Sequence, residues 1–435
     1  MTTASEMIRA FGRTLAETEW LSPEKLRTYQ TPLISKLLLH ATQTTDFYRR
    51  RFDFDPSNPE EIEKAWSLIP ILTRAEAVAA AERLVSRFVP SEAGATHQGT
   101  TSGSTGIPFP YHRSEINAVA TQALTERMWR WWKVDGRKPL ARISFDRRRI
   151  APPPDGATLA GWHRDHPRAR YYVLSTAADV TTQTRWLEAR KPAYLGAYSS
   201  LLKEIALTCQ RIGIKLQFEL LFSFGTVVDE ETRALCRTVF GAEIADTYGA
   251  EEAGHFAAQC PQCGEYHISA ETTRLEILRS DGSLAQPGEI GSVVITSLYN
   301  YAMPLIRYEI GDLAEVGSVP ARCRRGLPSL RRILGRYRNL FRFRDGQVAS
   351  ISAGQFKLRE FLPLTQVQIV QLDVDRIEIR WVSDGTERPI DLSALTERVR
   401  AVLRRPVEVS LRNVDVIERS PSGKFEDCIS FVPAD

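Results

Sequence analysis

The spacing of apolar residues changes character along the chain. Through about residue 90 it is helical. Ser22-Pro23-Glu24 reads as a helix start, with Ser as cap and Pro at the first position, where no N–H is needed. Thr31-Pro32 repeats that start signal, and Leu33, Leu37 and Leu38 follow at helical spacing. Pro70 to Arg74 links into a further helix with alanines between Ala75 and Ala81. From about Gly94 short apolar runs alternate with helical patterns. Leu140 to Phe145, Arg170 to Leu174, Phe218 to Ser223 and Ala242 to Asp246 predict strands. Glu115 to Trp132, Thr181 to Arg190, Ser199 to Arg211 and Glu230 to Phe240 predict helices. Such alternation implies α/β units. After Thr273 the pattern is β-rich, with Arg274 to Ile277 and Ser292 to Ser297 flanking the turn at Asp281-Gly282. Near the C-terminus Val367 and Ile369, then Ile377, Ile379 and Trp381, alternate with polar residues and predict a hairpin. Leu392, Leu395, Val399 and Val402 form a helical face capped by Asp391 or Ser393, and Val407, Val409 and Leu411 return as a strand.

The expected class is therefore α/β. A large N-terminal domain over 1–334 has a helical lead-in over about 1–90, α/β sheet layers and a β-rich subdomain. A small α+β domain follows over 335–435, with the boundary near Gly335 to Asn339. The length of 435 residues, with 43% hydrophobic and 25% charged residues, suits a globular chain of two or three domains. No apolar run approaches the ~20 residues of a membrane span, and Met1 to Leu21 lacks an apolar signal core, so a cytoplasmic protein is expected. A net charge of +4 is too small to argue for nucleic acid. Six cysteines are too sparse for a disulfide scaffold, so a reducing compartment is the default.

Five segments carry candidate chemistry. In Thr100-Thr101-Ser102-Gly103-Ser104-Thr105-Gly106-Ile107-Pro108, small hydroxyl residues and two glycines make a loop rich in donors that can wrap a polyphosphate. It lacks the Lys of the common phosphate loop, and a flexible linker is the plain alternative. Asp246-Thr247-Tyr248-Gly249-Ala250-Glu251-Glu252 follows a predicted strand; a ring beside Gly can stack on a base, and a carboxylate can hold Mg²⁺. Gly311-Asp312 closes an apolar run and places a carboxylate where ribose hydroxyls could donate to it. Gly335-Arg336-Tyr337-Arg338 lies at the boundary, and Ser420-Pro421-Ser422-Gly423-Lys424 near the C-terminus. Taken singly, each has an ordinary reading as a solvated loop or turn.

In this order and at these separations, the five segments resemble the adenylate-forming superfamily, and within it the phenylacetate–coenzyme A ligase-like branch. Asp46-Phe47-Tyr48-Arg49 and Ile69-Pro70-Ile71-Leu72-Thr73-Arg74 also look like that branch, so the resemblance spans nearly the whole chain. It implies ATP-dependent activation of a small, aromatic-leaning carboxylic acid as acyl-adenylate, then transfer to the thiol of coenzyme A. An amine or a carrier-protein phosphopantetheine is the alternative acceptor, and a catalytically silent nucleotide-binding homologue is the alternative of another class. Residue by residue, it makes Ser102, Gly103, Ser104, Thr105 and Gly106 the phosphate loop. Tyr248 would stack on adenine, with Asp246, Thr247 and Gly249 beside it. Glu252 would ligate Mg²⁺, Asp312 would hold the ribose with Arg336 alongside, and Lys424 would be catalytic in the first half-reaction. Gly225-Thr226 falls where the family has Gly-Glu, Ile107 where it often has Lys, and Arg338 where its hinge is usually acidic. The small C-terminal domain would be a mobile lid turning about Arg338.

Cys260-x2-Cys263-x3-His267, with the distant Cys323, has the donors of a tetrahedral structural Zn²⁺ site. Reduced unligated thiols and a redox Cys-x-x-Cys are the alternatives, with His255 a spare ligand. The branch often has a second Cys where this chain has Arg325. Trp131 and Trp132, with Tyr198 and Ala250, are candidates for the acyl pocket; packing is the other role for the tryptophans. Arginines from Arg322 to Arg344 form a dense basic run suited to coenzyme A phosphates or an acidic carrier protein, or are simply a solvated surface. No nucleic-acid or membrane partner is expected, and a homodimer is compatible with the sequence.

Overall fold

The computed structural model describes residues 3–101, 108–146, 149–318, 323–349, 351–419 and 425–432. It divides into two units, one formed by Met1–Lys138, Gly161–Ala169 and Ala245–Ile333, the other by Pro139–Ala160, Arg170–Ile244 and Leu334–Asp435. The architecture is mixed α/β, with a large sheet-rich part and a smaller C-terminal α/β domain.

The first unit opens with the helices Ala4–Thr18 and Pro23–Thr44. Ser22 caps the second helix through the Lys25 N–H, and Pro23 sits at its first turn, as the sequence predicts. Thr31-Pro32 does not start a new helix: Pro32 lies inside the helix that began at Pro23. A proline in a helix interior removes one hydrogen bond. Here burial of Ile34, Leu37 and Leu38, and a Gln30 side chain donating to the Thr273 carbonyl at 3.2 Å, hold the helix across it. The predicted helix after Pro70 forms in two pieces, Arg74–Ala79 and Ala81–Leu84. The β-rich expectation after Thr273 is met by neighbouring strands Thr273–Leu278, Ile290–Ser297 and Tyr308–Val316. Glu243–Ala250, Gly254–Gln259 and Tyr266–Ile268 are also successive neighbours in a sheet. Tyr48, Phe256, Ile295, Leu305 and Tyr308 lie in this unit's core.

In the second unit Leu220–Phe224, Tyr194–Ala197, Leu140–Ser144 and Arg170–Ser175 are parallel neighbours in that order. The helices Val180–Arg190, Ser199–Ile212 and Glu230–Phe240 accompany them, and Leu187, Leu202, Ile205 and Leu221 are fully buried among them. The C-terminal part has its own core around Phe341, Ile369, Ile379, Leu395 and Val399. Its strands Leu364–Asp373 and Arg376–Ser383, helix Leu392–Leu403 and strand Glu408–Asn413 reproduce the expected β-β-α-β order. A short final strand, Cys428–Ser430, joins the sheet parallel to Leu364–Asp373. No helix among the described residues is long and apolar enough to cross a membrane.

Candidate active site

The strands Glu243–Ala250 and Gly254–Gln259 are antiparallel partners joined by a tight turn, residues 251–253, with a register shift at Tyr248/Gly249. A Cβ at Gly249 would lie 2.4 Å from the Gly254 carbonyl oxygen, so the turn closes only with glycine there. The turn buries Glu252. Two candidate residues meet directly: the Tyr248 hydroxyl donates to Asp312 Oδ2 at 2.9 Å, both side chains being buried. Asp312 lies one residue after Gly311, whose φ of +82° suits glycine. Asp246 accepts from the Tyr266 hydroxyl at 2.7 Å. Thr247 is the half-buried residue between them.

Ser102 to Gly106 and Ile107 lie outside the described residues, but the neck of that loop is described. Thr96–Thr100 and Pro110–Ser114 pair antiparallel on either side. The Thr101 N–H donates to the Phe109 carbonyl, and the Phe109 N–H to the Thr101 hydroxyl, both at 3.0 Å. Arg74 reaches this neck: Nη2 donates to Thr101 Oγ1 at 3.0 Å, while Nη1 lies 3.3 Å from Glu252 Oε1 and 3.0 Å from the Tyr308 hydroxyl. Tyr308 in turn donates to Glu252 Oε1 at 3.2 Å, and burial pushes its phenol pKa up. Arg74, Thr101 and Tyr308 were not singled out as site residues by sequence. One signal was available. Arg74 is a cation in the first turn of a helix, at the positive end of the dipole, where only another partner makes it favourable.

Cys260, Cys263, His267 and Cys323 are all buried, with their ligand atoms within 4.8 Å of one another. The Cys260–Cys323 sulfur separation is 3.9 Å, and His267 Nε2 is 3.1 Å from Cys323 Sγ and 3.7 Å from Cys263 Sγ. Thiolates held about 2.3 Å from a tetrahedral metal sit about 3.8 Å apart, so this donor set fits one ion. His267 Nδ1–H donates to the Leu327 carbonyl at 3.3 Å, which leaves Nε2 turned to the sulfurs. Hydrogen bonding from Cys263 pulls the Cys260 thiol pKa well below its ordinary value and pushes that of Cys263 up. Arg325 adds a charge: Nη1 is 3.3 Å from Cys260 Sγ and 3.8 Å from Cys323 Sγ. His255 lies elsewhere, 3.4 Å from the Thr125 hydroxyl.

Other candidates fall in different surroundings. Trp131 stacks edge-on to His267 at 5.8 Å, with its Nε1–H donating to Glu19 at 2.9 Å; Trp132 donates to the Gln259 carbonyl. Both pack with Leu26, Ala270 and Leu327 beside the cysteine cluster, the packing role that the sequence also allowed. Ala250 packs at the edge of the core that holds Tyr248. Tyr198 is in the second unit, edge to face with Phe224 at 5.2 Å. Gly225 has a φ of +73° and ends the strand Leu220–Phe224. Thr226, where the family would have Glu, accepts the Ser199 N–H at 3.0 Å and so caps the helix Ser199–Ile212. Arg336 ends the strand Ser329–Arg336, and Arg338 falls in the short turn Tyr337–Asn339. Lys424 lies outside the described residues. The basic run is partly committed: Arg331 and Arg332 both pair with Glu315, Arg344 with Asp375, and Arg342 donates to two backbone carbonyls.

No protein-family profile matches the chain. Protein CapK of Staphylococcus aureus is 21% identical over 305 residues, 66% of this chain and 64% of that protein, so the match spans less than two thirds of the relative. A 2-hydroxyisobutyryl-CoA ligase, solved in the postadenylation state with 2-HIB-AMP, superposes with a TM-score of 0.77 at 17% identity, covering 97% of this chain and 92% of that one. The anthranilate CoA ligase AuaEII with anthranoyl-AMP gives 0.54 at 13% identity over 75% of this chain and 65% of that one. The o-succinylbenzoate CoA synthetase MenE of Bacillus subtilis, with its acyl-adenylate, gives 0.50 at 14% identity over 76% and 67%. These structural neighbours are acyl-CoA ligases of the adenylate-forming superfamily, and this chain has their fold.

Proposed function

We propose that this chain activates a small carboxylic acid with ATP and passes the acyl group to the thiol of coenzyme A, in the manner of the phenylacetate–coenzyme A ligase-like branch. The observation that carries the reading is the convergence of Tyr248, Asp312 and Glu252 on two strands and one turn, with the neck of the 102–107 loop tied to Glu252 through Arg74. In the first step a carboxylate oxygen bonds to the α-phosphorus and the α–β bridging P–O bond breaks, releasing pyrophosphate. In the second, sulfur bonds to the acyl carbon and AMP leaves with the bonding pair. Backbone donors of Ser102 to Gly106 suit the triphosphate, Tyr248 the adenine face, and Asp312 the ribose hydroxyls. Lys424 is proposed to supply an ammonium that stabilises the charge growing between the carboxylate and the α-phosphate in the transition state. Glu252 has the chemistry to hold Mg²⁺, which when bound neutralises the triphosphate. The 335–435 domain is proposed as a lid hinged at Arg338. Cys260, Cys263, His267 and Cys323 are proposed to hold a structural zinc ion. Aromatic acids head the substrate list, in keeping with the resemblance to the phenylacetate–coenzyme A ligase-like branch.

The test is ATP–pyrophosphate exchange with a panel of aromatic and aliphatic acids and no thiol, followed by coenzyme A addition. Exchange is expected with one group of acids. Lys424→Ala should reduce it by about a hundredfold or more, yet pass acyl groups from a preformed adenylate to coenzyme A. No exchange with any acid, together with no ATP binding by titration calorimetry, overturns the reading.

A further inference from the structure

The helix Glu115–Trp131 starts beside the turn that carries Glu252, and its start is pinned to a different segment. The Ser114 hydroxyl donates to the Tyr299 carbonyl at 2.7 Å, and the Ser114 N–H to Asn300 Oδ1 at 3.1 Å. From this fixed base two side chains reach the turn. Arg113 Nη1 donates to the Glu251 carbonyl at 3.2 Å, and Asn117 Nδ2 to the Ala253 carbonyl at 3.2 Å. The residues on either side of Glu252 are therefore both held. The two donors also hold each other: Arg113 Nε donates to Asn117 Oδ1 at 2.6 Å, which directs Nδ2 to the turn. Arg113 Nη2 donates to Thr121 Oγ1 at 3.1 Å, and the buried Asn117 gives a further hydrogen bond to Ser297 Oγ at 3.1 Å. A Cβ at Gly254 would lie 2.6 Å from Thr121 Oγ1, so helix and turn are in direct contact.

We infer that Arg113 and Asn117 are positioning residues that fix the backbone of the 251–253 turn and so aim the Glu252 carboxylate for the Mg²⁺ of Mg·ATP. The inference rests on the adenylation reading above. Peptide groups are planar, so holding the planes beside a residue fixes the direction of its Cα–Cβ bond. Arg113 holds the plane before Glu252 through the Glu251 carbonyl. The Ala253 N–H, donating to the Ala250 carbonyl at 3.3 Å, holds the plane after it, and Asn117 holds the next. A planar fork suits Arg113 because its three nitrogens meet three partners at fixed separation, which an ammonium on a flexible stem does not reproduce. Charge alone predicts the opposite result. Arg113 lies within the field of Glu252, so removing its charge, or adding a negative one at Asn117, would strengthen Mg²⁺ binding if electrostatics outweighed position.

The measurement is ATP affinity by titration calorimetry on the full chain, with Mg²⁺ and with EDTA, for wild type, Asn117→Asp, Arg113→Gln, Arg113→Lys and Ser114→Ala. Asn117→Asp keeps the side chain's shape and still accepts from Arg113, but it has no hydrogen for the Ala253 carbonyl. Ser114→Ala loses the bond to the Tyr299 carbonyl at the same helix start without touching the turn, and serves as the structural comparator. Asn117→Asp and Arg113→Gln should each weaken Mg·ATP binding by about tenfold while changing metal-free ATP binding much less. Arg113→Lys should fall between Arg113→Gln and wild type, and Ser114→Ala should keep the wild-type Mg²⁺ gain. In pyrophosphate exchange Asn117→Asp should raise KM for Mg·ATP more than it lowers kcat. An unchanged or larger Mg²⁺ gain in Asn117→Asp or Arg113→Gln overturns the role of that residue, and an equal loss in Ser114→Ala overturns both. Wild type without Mg·ATP binding overturns the inference together with the adenylation reading. Wild type that binds Mg·ATP but exchanges with no acid counts against the adenylation reading alone.

Discussion

At the scale of single residues, the cysteine cluster makes the sharpest demand. Three buried sulfurs and one imidazole lie within a metal's reach, and a second thiolate beside the first is costly without a cation. Arg325 supplies one positive charge, with its guanidinium 4.4 Å from the Trp131 ring centroid. A dication with three thiolates leaves one net negative charge, and Arg325 is placed to balance it. Arg325, which stands where the branch often has a second Cys, is then a charge change at the edge of the site, and Cys263 supplies the missing donor. The expected outcome is about one zinc per purified chain by elemental analysis. Cys263→Ser should cut that content sharply and lower Tm by about 5 °C or more. Metal-free wild type whose Tm is indifferent to chelator and to added zinc would leave the four residues as reduced thiols.

Among elements, the helix Ser199–Ile212 shows how a departure from the family pattern is used. Its N-cap, Tyr198, offers no side-chain acceptor, and Thr226 from a neighbouring segment supplies one. Thr226→Val should cost about 1 kcal/mol in denaturant unfolding, and Thr226→Ser much less. A neutral Thr226→Val with altered ATP affinity would return the residue to the nucleotide side. Elements of this kind were legible in sequence wherever the period was local. Ser22-Pro23 marks a helix start in any context, and alternation at Ile377, Ile379 and Trp381 marks a strand. Pro32 was misread because its cost is offset by burial of Ile34 and Leu37, which no local signal reports. Sequence left both roles open for the tryptophans, because a pocket wall and a packed core use the same rings. The difference lies in a contact between Trp131 and His267, distant in sequence. The Arg74–Glu252 pair spans 178 residues, so composition near either end could not announce it.

On the scale of the whole molecule, the described residues on either side of 420–424 are tied to the helix Ser199–Ile212 and to the C-terminal sheet. Arg419 pairs with Glu204 on the helix Ser199–Ile212, and its guanidinium lies 5.8 Å from the Phe425 ring centroid. Gln366 from the C-terminal sheet approaches the same carboxylate at 3.5 Å, and Gln368 donates to the Glu426 carbonyl at 2.8 Å. The anchor at Glu204 is pH-dependent, with a sign fixed by burial. Desolvation pushes the Glu204 carboxyl up from 4.5, outweighing the pull of Arg419. The folded state then holds this proton more tightly than the unfolded chain. Its stability contribution is full below 4.5 and falls as pH rises through the raised value. Glu204→Gln keeps an acceptor for Arg419 and removes the buried charge. Its Tm should match wild type near pH 4, where both side chains are neutral, and exceed it near about pH 8. A variant that is less stable than wild type at the higher pH would show that attraction to Arg419 outweighs burial. The contact would then be an ion pair worth keeping charged, and it would tighten rather than loosen as pH rises.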